Sequence, residues 1–188
     1  LVDGGLTASL IRTKNLDQDD YSTVFFINLF ASITIYLLLY FFAPSISNFF
    51  NQSELLNVTR VLCLVFIVNA FSTVQSTRLN KNLQFKTQFL LQIPSLILSG
   101  ILGIWLALKG YGIWSLVFKD LSYSVLATVQ LWIYSKWTPS WLFSLRKFKY
   151  HFNFGYKLTA ANILNTISSQ IYSIIIGKFF SAAQLGFY

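Results

Sequence analysis

The sequence predicts an all-α membrane protein, a polytopic bundle of helices. Of the 188 residues, 55% are hydrophobic and 11% are charged, whereas a soluble domain carries about 25% charged residues. The apolar residues form blocks of roughly 20, enough to cross a hydrocarbon core of about 30 Å. The net charge is +8, and most basic residues lie in short loops between the blocks. This distribution favours membrane insertion over nucleic-acid binding.

The apolar blocks predict five complete spans after residues 1–11, which have the composition of the tail of an earlier span. In order, the spans are residues 24–43, 58–74, 89–108, 112–134 and 158–176. Pro44 is expected to end the first span. Pro94 and Gly100 lie inside the third, where neighbouring helices can satisfy the freed backbone groups. The blocks are too long and too continuously apolar for barrel strands, which need about ten alternating residues.

The charges of successive loops predict the topology. Ten basic residues fall in one set of alternating loops: Arg12, Lys14, Arg78, Lys81, Lys86, Lys136, Arg146, Lys147, Lys149 and Lys157. Three fall in the other set: Arg60, Lys109 and Lys178. The positive-inside rule therefore places loops 12–20, 78–86 and 135–157 in the cytoplasm.

Two charged residues interrupt the fourth span. Lys119 lies seven residues after Gly112, about 10 Å along a helix. Charges at this depth usually face a cavity or a partner. Lys119 and Asp120 point about 100° apart on a helix and need not pair with each other. A translocation path and structural pairing with neighbouring helices are both open, as is snorkelling of Lys119 to the outer interface.

The fifth span carries a polar stripe at helical spacing. Its members are Thr159, Asn162, Thr166, Ser169 and Ser173, flanked by Asn165. Such a face does not look at lipid, so it either packs against another helix or lines a watery path. Two asparagines exceed what close packing needs, and they favour the path.

The stretch 135–157 reads in two ways. Trp141, Leu145, Phe148 and Phe152 recur at spacings of four, three and four, which is typical of an amphipathic helix on the membrane surface. A solvated basic linker is the other interpretation. His151 has no partner in its sequence neighbourhood and indicates nothing by itself.

The sequence offers no set of residues for catalysis. It contains no nucleophile–base–acid arrangement, phosphate loop or metal-ligand cluster, and no cofactor is expected. Cys63 is the one cysteine and is expected to be a small apolar filler. We therefore expect a protein that is not an enzyme.

Four segments, in order along nearly the whole chain, carry a family resemblance. They are GLTASLIR with DYSTVFFIN at residues 5–12 and 20–28, LNKNLQFK at 79–86, GYGIWSLV at 110–117, and IGKFFSAAQLGFY at 176–188. Each resembles a stretch of the polysaccharide flippases of the multidrug/oligosaccharidyl-lipid/polysaccharide exporter superfamily, in particular the O-antigen and colanic-acid type.

The resemblance implies a fragment of a two-lobe exporter with twelve or more helices in the bacterial inner membrane. Residues 1–134 would hold the end of the second to the sixth helices of the first lobe. Residues 135–157 would be a cytoplasmic linker between lobes, and residues 158–188 the seventh helix and the loop after it.

The function implied is the transfer of undecaprenyl-diphosphate-linked oligosaccharide across the membrane for surface polysaccharide synthesis. The expected partners are that lipid-linked sugar, the bilayer, and a polymerase and glycosyltransferases of the same pathway, with no nucleic acid. The candidate path comprises Lys119, Asp120, Thr159, Asn162, Asn165, Thr166, Ser169 and Ser173. A drug/cation antiporter of the same superfamily and a membrane polymerase or ligase are the alternatives.

Overall fold

The computed structural model describes residues 3–141, 143–179 and 186. The last predicted loop begins after residue 176; residues 177–179 of it belong to a helix, and beyond them only residue 186 is described. Within the described part, seven helices follow one another: α1 (Asp3–Arg12), α2 (Gln18–Phe50), α3 (Glu54–Leu62), α4 (Leu64–Lys81), α5 (Phe85–Leu108), α6 (Ile113–Ser135) and α7 (Leu145–Phe179). The predicted all-α class is confirmed.

Three helical stretches are long and apolar enough to cross a membrane: α2, the α3–α4 pair over Glu54–Lys81, and α5. Helix α6 has sufficient length but contains Lys119, Asp120 and Gln130. Helix α7 includes the basic residues of the predicted linker as well as the polar stripe. Three of the five predicted spans are therefore supported by length and composition, and the crossing of α6 and α7 stays a prediction.

The prediction that Pro44 ends the first span is wrong, because α2 continues through Pro44 to Phe50. A proline inside a helix removes one backbone hydrogen bond, and a membrane helix tolerates this loss. The helix ends at Asn51, which adopts the left-handed conformation with φ of 55°. The Asn51 backbone N–H donates to the Asn48 carbonyl at 3.2 Å, and the Gln52 N–H donates to the Ser47 carbonyl at 3.1 Å.

Two further boundaries differ from the prediction. The second span begins at Glu54, earlier than residue 58, and it is divided at Cys63, the single residue between α3 and α4. Helix α7 begins at Leu145 and runs without a break past residue 157, where the sequence predicted the linker to end. Among the described residues of that linker, only 136–141, 143 and 144 are non-helical before α7 begins.

The α5–α6 hairpin is antiparallel and closely packed. Ser95 near the middle of α5 donates from its Oγ to Gln130 Oε1 at 3.0 Å. Toward the opposite end, Gly103 faces the aliphatic stem of Lys119, and a Cβ at that glycine would lie 3.0 Å from the Lys119 Cβ. The missing side chain at Gly103 thus lets α6 approach α5 at the level of the charged pair.

Two clusters of packed, buried apolar side chains lie at one end of the bundle. One cluster comprises Leu6, Leu10 and Val24 from α1 and α2. A second comprises Phe25, Val74 and Trp137, with the rings of Phe25 and Trp137 edge to face at 6.0 Å between centroids. The large apolar side chains along the middle of α2 and α5 are mostly exposed, as expected of helix faces that meet lipid.

Candidate functional site

The structure pairs the two charges of the fourth predicted span with each other. Lys119 Nζ lies 3.2 Å from Asp120 Oδ1, and the two side chains are 40% and 52% exposed. The long lysine stem bends across the helix surface, so the 100° between neighbouring residues does not prevent the pair. The two charges can neutralise each other while both side chains remain partly exposed.

Asp120 also lines a cavity of about 450 Å³ between α6, α2 and the α3–α4 pair. Its other polar lining residues are Asn69, Tyr123 and Ser124, and its apolar side includes Leu39 and Cys63. The lining is therefore mostly apolar with a few polar groups, which is the usual composition of a small-molecule pocket. The prediction that this pair faces the protein rather than lipid is not tested by the described residues.

The polar stripe lies in a part of α7 that no other described helix covers, and residues 163–172 are exposed on every face of the helix, the isoleucines included. Thr166 donates its hydroxyl to the Asn162 carbonyl at 2.8 Å, and Ser169 donates to the Thr166 carbonyl at 3.0 Å. Asn165, Thr166 and Ser169 are exposed. The hydroxyls therefore bond within their own helix, and no other described helix covers the middle of the stripe.

The structure does not join the two halves of the predicted site. Among the described helices, α7 packs against α1 and α2, whereas α6 packs against α3, α4 and α5. The stripe and the Lys119–Asp120 pair thus lie on separate faces of the described chain. Their common membership of one path stays a prediction.

A polar cluster that the sequence did not reveal ties α7 to α1 and α2, and it runs from the buried Ser9, Asp20 and His151 to the exposed Asp17. It consists of Ser9, Asp17, Asp20, Lys147 and His151, and we call it the Asp20 cluster. Lys147 Nζ lies 3.0 Å from Asp20 Oδ2 and 3.3 Å from Asp17 Oδ2. Asp20 Oδ2 also accepts the backbone N–H of Asp17 at 2.9 Å. The Asp20 carboxylate therefore caps the start of α2 and binds α7 at once.

His151 lies at the centre of the Asp20 cluster and is completely buried. Its Nε2 is 3.2 Å from Asp20 Oδ1, and its Nδ1 is 2.8 Å from Ser9 Oγ. Burial lowers the pKa of His151, although the nearby Asp20 carboxylate acts in the opposite direction. Burial alone would also lower the pKa of Lys147, but its hydrogen bonds to Asp20 and Asp17 outweigh burial and raise that pKa.

The stretch before α7 is fastened to the same end of α2 by side-chain hydrogen bonds. Trp137 donates its Nε1 to Gln18 Oε1 at 2.7 Å, and Gln18 donates back to the Thr138 carbonyl at 2.7 Å. Ser22 Oγ lies 2.9 Å from Ser140 Oγ and accepts the Ser140 backbone N–H at 3.0 Å. We call residues 137–151 the docked segment.

The docked segment contradicts one of the two interpretations of the predicted linker. It is not a solvated linker, since Trp137 and His151 are buried. Its part from Leu145 is helical, and Phe148 and Phe152 line an apolar groove of about 880 Å³ together with Phe26 and Phe30. Trp141, by contrast, is 93% exposed. A position of this amphipathic helix on the membrane surface stays a prediction.

Two glycines allow α1 and α7 to cross in contact. A Cβ at Gly5 would overlap the Gly155 carbonyl oxygen and the Thr159 hydroxyl, and it would lie 2.7 Å from the Gly155 carbonyl carbon. A Cβ at Gly155 would lie 3.1 Å from the Gly5 carbonyl carbon. The crossing brings Thr159, the first residue of the stripe, against α1.

The sequence held one signal for this site. Asp17 and Asp20 stand three residues apart at the start of a long apolar helix, which is the spacing of a capping box. That spacing indicates that the Asp20 carboxylate is turned back toward the helix start. It says nothing of His151, whose distance of 131 residues from Asp20 is bridged only by the fold.

We expect the protein to lose stability as the pH falls below about 6.5, in part through His151. The pKa of His151 lies below its usual 6.5 in the folded protein, so the unfolded state binds more protons in that pH range. The stabilisation is complete above 6.5 and is lost below it. Thermal unfolding of the purified protein in detergent should show this slope, and His151→Gln should reduce it. An unchanged slope in the variant would contradict the assignment.

These features define a class: a multi-pass helical membrane protein with a charged pair and a polar helix face in its apolar part. The family follows from comparison with known proteins. A family model described as "Polysaccharide biosynthesis protein" matches residues 1–188, and the chain belongs to that family. The resemblance stated from the sequence is thereby confirmed.

Three curated relatives illustrate the family. The teichuronic acid biosynthesis protein TuaB of Bacillus subtilis is 28% identical over 100% of this chain and 39% of its own length. The succinoglycan biosynthesis transport protein ExoT of Rhizobium meliloti is 23% identical over 98% of this chain and 37% of its own length. The lipopolysaccharide biosynthesis protein WzxC of Escherichia coli is 21% identical over 100% of this chain and 39% of its own length.

The chain thus spans about two fifths of the length of the curated relatives it matches. No solved structure matches it significantly.

Proposed function

We propose that the chain is part of an exporter that moves lipid-linked oligosaccharide, of the undecaprenyl-diphosphate type, from the cytoplasmic to the outer leaflet of the inner membrane. Support comes from the family and from a relative named as a succinoglycan biosynthesis transport protein. The observation that carries the proposal is the uncovered polar stripe on α7, whose residues Asn165, Thr166 and Ser169 are exposed in a chain of apolar helices.

A sugar headgroup needs a polar passage, because an unpaired polar group in hydrocarbon costs several kcal/mol. The stripe from Thr159 to Ser173 supplies one wall of that passage, with side-chain amides and hydroxyls as hydrogen-bond partners for sugar hydroxyls. The undecaprenyl tail stays in lipid while the headgroup crosses. The protein alternates between states open to the two sides, and residues 158–188 belong to its second lobe.

Lys119 is the contact that we propose for the pyrophosphate. Its ammonium group is half exposed and is held by a neighbouring carboxylate at 3.2 Å. A phosphate oxygen can replace Asp120 as its partner, since exposed ion pairs of this kind contribute only about 0–1 kcal/mol. The polymerase and glycosyltransferases of the same pathway are the proposed partners on either side of the membrane.

The test is export in a strain that lacks its own flippase. The variant carries Asn162→Ala, Asn165→Ala, Thr166→Val and Ser169→Ala together, and we expect surface polysaccharide to fall at least tenfold because the passage loses its polar wall. The matched control replaces Ile163, Ile167, Ile171 and Ile174 with valine and should export normally.

Normal insertion of the stripe variant with wild-type surface polysaccharide would show that the stripe only packs against another helix. Failure of the wild-type protein to restore any export, with drug resistance gained instead, would favour the antiporter alternative.

A further inference from the structure

The first turns of α7 present three faces. Neighbouring residues on a helix point about 100° apart. One face carries Lys147 and His151, which bind Asp20 of α2. The next carries Phe148 and Phe152, which line the apolar groove. The third is basic and exposed, and its cations lie about 100–180° around the helix from Phe148: Arg146, Lys149 and Lys157. The groove-lining face therefore adjoins the basic face.

The groove offers a partner almost nothing but hydrocarbon. One wall follows α2 from Phe26 to Ile35, which is about 13 Å of helix. The only polar side chain in this described lining is Thr34, and its hydroxyl donates to the Phe30 carbonyl at 2.9 Å. The other wall consists of three aromatic side chains: Phe143, Phe148 and Phe152. One leaflet of the hydrocarbon core is about 15 Å deep, so the groove has the length of an acyl chain that crosses one leaflet.

The cations beside the groove are free to bind an anion. Asp17 and Asp20, the acidic groups that face the start of α7, are both engaged by Lys147. Within the described residues, neither Arg146 nor Lys149 forms an ion pair. Long basic side chains on such a helix can lay their stems on apolar surface and hold their charges at the level of lipid phosphates.

Trp141 marks the end of the groove at which these cations lie. Its ring is 5.9 Å from that of Phe26, the lining residue closest to the start of α2, and its side chain is 93% exposed. Exposed tryptophans are typical of the boundary between hydrocarbon and headgroups. The sequence places this boundary on the cytoplasmic side, where anionic lipids attract basic segments.

We propose that the groove and the basic face of α7 together bind one anionic phospholipid of the cytoplasmic leaflet. One acyl chain lies along α2 between Phe26 and Ile35, and the phosphate is bound by Lys149 with Arg146 beside it. The proposal rests on the predicted cytoplasmic position of residues 135–157 and does not depend on the transport function proposed above.

Lipid binding to the purified full-length protein in detergent tests the headgroup contact. Native mass spectrometry compares phosphatidylglycerol with phosphatidylcholine of the same acyl chains, and we expect at least tenfold tighter binding of the anionic lipid. R146Q/K149Q should weaken phosphatidylglycerol binding at least tenfold and leave phosphatidylcholine unchanged, because each cation near an anionic headgroup contributes to the attraction. The matched control K14Q/K86Q removes the same charge from exposed positions outside the groove lining and should bind like the wild type.

A second variant tests the acyl-chain contact. Ala31 lies in the groove lining, and Ala31→Trp should fill the groove and lower phosphatidylglycerol affinity at least fivefold. Leu98→Trp, at an exposed position on α5, is the control and should have no effect. Glycerol phosphate, which has the headgroup charge without the chains, should not displace the bound lipid.

Three results would overturn the lipid site. Equal phosphatidylglycerol binding by R146Q/K149Q and the wild type would remove the headgroup contact. Absence of bound lipid from the full-length protein would mean that another of its helices covers the groove. Displacement of phosphatidylglycerol by an equal concentration of undecaprenyl phosphate would assign the groove to the transported lipid. Binding is measured without transport, so the transport function is tested separately.

Discussion

Replacing Gly5 with alanine is expected to destabilise the protein by at least about 3 kcal/mol, the upper end of the usual cost of overpacking. The added methyl group would overlap the backbone of Gly155 and the hydroxyl of Thr159. Backbone atoms cannot turn aside as a flexible side chain can, so α1 and α7 must separate along the whole crossing. The alanine's better helix propensity, about 1 kcal/mol, offsets only part of this loss. Thermal unfolding in detergent measures the effect.

Gly100 provides the matched control for this substitution. It lies inside α5, and a Cβ at that position would meet nothing within 4 Å. Gly100→Ala should therefore leave the protein unchanged or stabilise it by about 0.5–1 kcal/mol, because alanine loses less backbone freedom in a helix. Equal unfolding temperatures for Gly5→Ala and the wild type would show that the α1–α7 crossing is absent in the membrane protein.

Replacing Asp20 with asparagine is expected to cost about 1–3 kcal/mol, the range for a charged hydrogen bond that loses one partner, because the Lys147 side chain remains 25% exposed to solvent. Asp20 is 8% exposed and binds Lys147, His151 and the backbone of Asp17 at once. Its loss leaves the Lys147 ammonium with the more exposed Asp17 as its remaining carboxylate partner in the described structure. The unfolding free energy, or the midpoint in denaturant, will report the change.

The neighbouring Asp19 serves as the control for Asp20. It has the same charge and lies in the same first turn of α2, but it forms no ion pair within the described residues. Asp19→Asn should change stability by no more than about 0.5 kcal/mol. Adding Lys147→Met to Asp20→Asn should then cost little more, since the pair is already broken. An equal loss of stability in Asp19→Asn and Asp20→Asn would mean that only the net charge at the start of α2 matters.

The helices and their order could be predicted because bilayer thickness imposes a minimum length on apolar blocks. The turn at residues 109–112 follows from the gap between the third and fourth spans, whereas residues 18–20, which were predicted to lie in a loop, already belong to α2. Pro44 misled the prediction, since in lipid the helical backbone of α2 has no better alternative on either side of the proline. Its real end depends on Asn51, whose left-handed backbone conformation is a local property that a reading based on apolar blocks passes over.

The Asp20 cluster could not be found from sequence, because its members come from three separate segments. A lone histidine beside basic residues gives no indication of burial. His151 is buried because α1 and α7 pack closely where they cross at two glycines. The stripe and the Lys119–Asp120 pair were visible because helical spacing and a charge in an apolar block are local patterns. Their relative placement is a tertiary property, and within the described helices α6 and α7 do not meet.

The unbroken course of α7 has a mechanical consequence. Its 35 residues form a rod about 52 Å long, of which the part after Gly155 accounts for about 36 Å. The far end touches α2 through Lys178, whose ammonium donates to the Phe49 carbonyl. A tilt of about 10° around the glycine crossing displaces that end by about 6 Å, given this length. The helix therefore acts as a lever that converts a small rotation at one membrane face into a shift of several ångströms at the other.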